Sequence, residues 1–326
     1  MRENVKLKTE RQFLEAANES NNSMLNPIDN LLLLEAFDLA LQPTEDPAND
    51  ANPFIWHFTS PDALFEILKP DGCLFATHMA FLNDRHETHL VQDVLSLLRD
   101  HIDILGQNDI ENKDHFCEQV RNGTVYCPFV TCFCNEVESP LMWRVYTRGG
   151  GFAIGFHKKE LLENVLCPDG FGFRYDYCRY WNFSEELIKE RKRTLQSKIS
   201  DYESSHPNNR PLFESEHTEV ETQFLEEILA LQTKAAFIKD SFFSDEKEFR
   251  LVFTKKGGLS HSDFEMVNGG PRLRIRFKEH LHRFVSEIKV SPLGDADENL
   301  KAARFAAGVF RIDPRKVSMF KCPVRE

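Results

Sequence analysis

Short apolar runs of strand length, separated by long charged insertions, restrict the fold of this 326-residue chain more than any other feature. Residues 54–58, 73–77, 129–133, 152–156, 249–254 and 285–290 read as strands. Residues 273–277 (LRIRF) alternate apolar and polar side chains strictly, the period of a half-buried strand. A doubly wound parallel sheet needs regular alternation of strand and helix, and the connections here are too uneven for it. The expected class is α+β: a mixed, largely antiparallel split sheet with peripheral helices and a helical insertion.

Residues 1–50 are expected to form an N-terminal helical cap, with a partner-binding arm as the alternative. Residues 31–41 (LLLLEAFDLAL) supply its apolar helix, bounded by Asn26-Pro27 and Gln42-Pro43. A polar stretch rich in Asp, Asn and Pro then leads into the main domain, 54–326. There Ser60 is placed to cap a helix that opens on Pro61 and buries Leu64, Ile67 and Leu68. A helical insertion is expected at about 182–238, its second helix striped by Phe224, Ile228, Leu231 and Ala235. A coiled-coil arm is the other reading of that pair.

With 40 basic and 52 acidic residues the net charge is −12, which opposes nucleic-acid binding by bulk electrostatic attraction and leaves room only for a local basic groove. No apolar run reaches the roughly 18 residues of a membrane span, and the polar start Met1-Arg2-Glu3-Asn4 lacks a signal-peptide core. The eight Cys follow no zinc or disulfide spacing, so buried free thiols in a reducing cytoplasm are expected.

Several polar residues sit beside apolar runs without serving an obvious core. His57 and Thr59 end the first strand, where they suit either ligand contact or the capping of the next helix. Asn83, Asp84 and Glu87 form a polar knot with Arg85 and His86, a turn or a ligand contact. Trp143 and Tyr146, three apart, suit a helix face that sandwiches a flat ring, with Gly149, Gly150 and Gly151 permitting close backbone approach. Glu246, Glu248 and Arg250 share strand parity and form a polar stripe. Its alternatives are a solvated edge and a functional pair in which one carboxyl is raised by its neighbour. His86 and His89 near Asp84 and Glu87 lack a completing ligand, so no metal site is assigned.

Taken in order, these segments resemble a known family. They are His57-Phe58-Thr59-Ser60, Phe81-Leu82-Asn83-Asp84 with Glu87, Ser139-Pro140-Leu141-Met142-Trp143 with Tyr146, Phe152 to Phe156, and Lys239, Phe243, Glu246, Glu248 and Arg250. The chain is similar over roughly 54 to its end to the bacterial domain of unknown function 2971, which departs from it in often having Pro where this chain has Arg85. That label implies no reaction.

A second resemblance is to ADP-ribosyltransferases. It implies that His57 contacts the NAD ribose, Tyr146 packs on nicotinamide, Glu248 binds the nicotinamide ribose and Glu246 orients the acceptor. Thr59, Trp143 and Arg250 are placed with the cofactor, and Asn83, Asp84 and Glu87 with the substrate. On this reading the chain is an NAD-dependent transferase or glycohydrolase, a toxin or phage-defence effector, with NAD as substrate and the acceptor unknown. Its carboxylate would stabilise charge developing on the sugar. The competing reading is a non-catalytic sensor or interaction module that recognises a nucleotide or peptide. A third is a metal-dependent nuclease or hydrolase using Asp84, Glu87, Glu246 and Glu248.

Overall fold

The computed structural model describes residues 52–82, 128–147, 150–181, 232–255, 259–267 and 270–321, with residues 193 and 197. The expected N-terminal cap, the Asn83–Asp84–Glu87 knot and most of the helical insertion lie outside the described residues.

The architecture is α+β with a mixed, largely antiparallel sheet, and the sheet splits at one strand. In chain order the elements are β1 (Phe54–Thr59), α1 (Pro61–Leu68), β2 (Leu74–His78), β3 (Phe129–Cys134), α2 (Pro140–Tyr146), β4 (Phe152–His157) and α3 (Lys158–Glu163). They continue with β5 (Val165–Leu166), β6 (Phe171–Tyr177), β7 (Arg179–Trp181), β8 (Ile238–Asp240), β9 (Glu248–Lys255), β10 (Glu265–Val267), β11 (Gly270–Phe277), β12 (Val285–Val290), α4 (Ala296–Val309) and β13 (Val317–Met319). One edge of β3 pairs with β9 along its whole length, and β6 follows β9. The other edge is shared. Phe129 and Val130 pair with β2, whereas Cys134 pairs with Trp56 of β1. One arm continues from β2 through β11 to β10, the other from β1 through β4 and β12 to β13.

The fork leaves the middle of β3 without a strand partner on that edge, and side chains complete it. Thr131 Oγ1 donates to Phe75 O at 3.2 Å, and His57 Nδ1 meets Cys132 O at 3.3 Å. A carbonyl only accepts, so Nδ1 of His57 carries the proton. Burial lowers the pKa of His57, outweighing this hydrogen bond, and keeps the ring neutral.

The main core draws on strands of both arms and on β3 and β9. Ile55, Phe133, Phe156, Leu74, Ile275 and Ile288 meet there, with Leu64 and Leu68 of α1 and Ala303 and Ala306 of α4. Helix α1 buries Leu64, Ile67 and Leu68, the spacing of one helical stripe. Ser60 occupies its N-cap position, but its hydroxyl makes no capping bond; the backbone bond Ala63 N to Ser60 O closes the turn instead. Gly151 brings β4 so close to β1 that a Cβ would stand 2.5 Å from Thr59 O. The close approach expected of the glycines is thus made by the chain to itself at this position. Strands β7 and β8 pair in parallel, so residues 182–237 connect two neighbouring strands.

Candidate functional site: a charge-balanced network on β9

Four ionised side chains are buried together at the head of β9. Lys239 Nζ, on β8, lies 2.5 Å from Glu246 Oε2 and 3.0 Å from Glu248 Oε2. Arg250 Nη2 also reaches Glu248 Oε2, at 2.9 Å, and its Nη1 donates to Ala236 O at 2.7 Å. All four are nearly inaccessible to solvent. Two cations and two anions leave the group without net charge, the condition under which such burial is tolerable. Around it, Tyr146 Oη donates to Glu246 Oε1 at 3.2 Å, Cys178 Sγ approaches Glu248 Oε2 at 3.7 Å, and the backbone N–H of Glu248 donates to Tyr180 Oη at 2.7 Å.

Local backbone geometry produces the convergence. The expected strand stripe from Glu246 does not form, because residues 241–246 make a 3₁₀ turn and the strand starts at Glu248. Lys247 between them adopts a left-handed conformation (φ 41°, ψ 54°). Its N–H bonds Ser244 O and its carbonyl accepts from Asn135 N, which hold it there. The reversal turns Glu246 back toward Lys239. Both carboxylates therefore meet on one ammonium. The solvated-edge alternative is overturned as well: β9 lies between β3 and β6, and both acids are buried.

The electrostatics also differ from expectation. Burial alone would raise the Glu248 pKa, but Arg250 and Lys239 outweigh it and hold the carboxyl at about 2. Burial opposes the charge on Lys239, yet Glu248 and Glu246 keep its pKa raised. Burial pushes Tyr146 and Tyr180 upward, raises Cys132 well above its ordinary value and lifts Cys134 to about 12. These groups are tuned away from neutral pH, the opposite of the tuning that acid–base or thiolate chemistry requires.

The strand register separates the expected residues. Cross-strand partners share a face, so Trp56, Cys134 and Glu248 lie on one side of the sheet, with Cys132 and Arg250. His57 follows Trp56, is paired with Ile154 and packs its ring 5.6 Å from Phe133, on the other side. Thr59 has the parity of His57 and is buried. The structure thus gathers Tyr146, Glu246, Glu248 and Arg250, and leaves His57 and Thr59 across the sheet.

Trp143 is not open to a ligand. It is 2% exposed, stacks on Phe320 at 4.9 Å, meets Phe58 edge-on at 5.1 Å, and donates Nε1–H to Val137 O. Burial of an indole this large with its donor satisfied is core packing. Tyr146, one turn on, leans instead toward Glu246 and remains half-buried.

The sequence reading does not include three network residues: Cys178, Tyr180 and Cys132, whose thiol hydrogen-bonds Glu248. Lys239 enters the sequence reading only through the family resemblance, with no role assigned to it. Cys132 and Cys134, two apart on β3, share one strand face, and both are free thiols. Nothing in the sequence joined them to Glu248. Among the described residues no group of His, Cys, Asp and Glu is arranged to hold a metal ion, and no helix is long and apolar enough to cross a membrane.

No curated protein and no solved structure matches the chain, so the likeness to ADP-ribosyltransferases finds no counterpart. The first resemblance does: residues 142–251, from α2 into β9 and about a third of the chain, match the model of a family described as protein of unknown function (DUF2971).

Proposed function

We propose that this chain is a recognition module, binding a nucleotide or peptide at the rim of the β9 network without consuming it. The observation that carries the reading is the internal neutralisation of the carboxylates. Glu248 is already held by Lys239 and Arg250, and Glu246 by Lys239 and Tyr146. A carboxylate that stabilises positive charge developing on a sugar must face that sugar, and fixed cations beside it oppose the role.

The network meets solvent through half-buried Tyr146, Phe243 and Cys132. Phe243 covers Lys239 at 4.9 Å from ammonium to ring centre and packs edge-on against Phe242, which is 84% exposed. A rim of phenol and phenyl groups over a rigid polar floor suits a flat ring such as a nucleobase or an aromatic side chain.

A thermal-shift screen with nucleotides, NAD and aromatic peptides tests this. The expected result is stabilisation by a ligand that is recovered intact and that Tyr146→Ala no longer binds. Turnover of NAD that requires Glu248 would instead establish the transferase or glycohydrolase reading.

A further inference from the structure

The outer face of β11 carries an arginine row that the β9 network does not use. Leu273 and Ile275 point into the main core, so Arg272, Arg274 and Arg276 share the opposite face, at steps of about 7 Å along the strand. Arg274 is fixed: it donates through Nε and Nη2 to both oxygens of Glu265, at 2.8 and 3.0 Å, and lies 5.2 Å over the Phe75 ring. Its neighbours are not matched in this way. Arg276 is exposed, and Nε of Arg272 is buried without a hydrogen-bond partner.

Apolar rings accompany the row. Phe81, 52% exposed, lies against Gly270 at the head of the strand, 3.4 Å from where a Cβ would stand. Phe75 lies beneath Arg274, and Leu166, paired with Arg276, is exposed at the other end.

We propose that this face binds single-stranded nucleic acid. Guanidinium groups at regular spacing match successive backbone phosphates, and the exposed Phe81 ring offers a base a stacking surface. One cation row along a strand fits a single strand better than a duplex, whose phosphates flank a groove. The overall charge of −12 repels polyanions at a distance, so binding depends on close contact and is sensitive to salt.

Fluorescence anisotropy with labelled oligo(dT) and oligo(U), titrated at increasing salt, tests the proposal on the full chain. Arg276→Glu and Phe81→Ala are compared with Lys301→Glu, a control at an exposed position of α4, after thermal melting confirms folding. The expected result is salt-sensitive binding, weakened about tenfold or more by Arg276→Glu. Phe81→Ala is expected to weaken binding without changing its salt slope, and Lys301→Glu to leave it intact. Arg272→Gln gives a second reading of the row if either variant is unstable. Absence of binding at low salt overturns the proposal, as do equal losses in Lys301→Glu. Equally tight binding of polyglutamate, indifferent to Phe81, assigns the row to anionic peptides and overturns it too.

Discussion

Replacing Lys239 with Met tests the charge balance at the head of β9 where it is most exposed to failure. The side chain is similar in length and keeps its packing, but the ammonium between Glu246 and Glu248 disappears. One cation then faces two buried anions. Glu248 retains Arg250, whereas Glu246 retains only the Tyr146 hydroxyl. Removing one partner of a buried ion pair costs about 3–5 kcal/mol, a large part of a typical ~5–15 kcal/mol domain stability. Urea denaturation at neutral pH measures the loss. Adding Glu246→Gln should restore more than half of the loss, because it removes the uncompensated charge. A loss below about 1 kcal/mol, the range of an exposed pair, would refute the reasoning. So would a double variant no more stable than the single one.

Other outcomes follow from the same geometry. The Glu248 pKa of about 2 lies below the ordinary 4.5, so its contribution of about 3 kcal/mol is complete above pH 4.5 and is lost as pH falls toward 2. Acid unfolding of Glu248→Gln should therefore lack that part of the transition. Arg311 holds φ 60° just after the end of α4, where glycine is the unstrained residue. Arg311→Gly should raise stability by about 0.5–1 kcal/mol by chemical denaturation. Under native conditions a thiol reagent should modify exposed Cys167 before Cys134 or Cys178, whose burial shields them, as peptide mapping would show.

The strands were legible because their apolar runs are short and bounded. The observed β4, β9 and β12 begin and end within a residue of the expected 152–156, 249–254 and 285–290. The split in the sheet was legible from uneven connections, whereas its location was not, since it depends on β3 being shared between β1 and β2. Glu246, Glu248 and Arg250 were found through their alternation, although the geometry that unites the two acids is a left-handed turn at Lys247 that no propensity announces. His57 joins them in the sequence reading through the resemblance to ADP-ribosyltransferases. The side of the sheet it faces is set by register with β3 and β4, a long-range property. Trp143 and Tyr146 do share a short helix, but Phe58 and Phe320, distant in sequence, claim the indole for the core.

The sharpest discrimination between recognition and catalysis is the amount of nicotinamide released when the purified chain is incubated with NAD. Internally neutralised carboxylates predict no release above that of a protein-free blank, for wild type and Glu248→Gln alike. Release by the wild-type chain that Glu248→Gln abolishes, with the fold intact, would contradict the account.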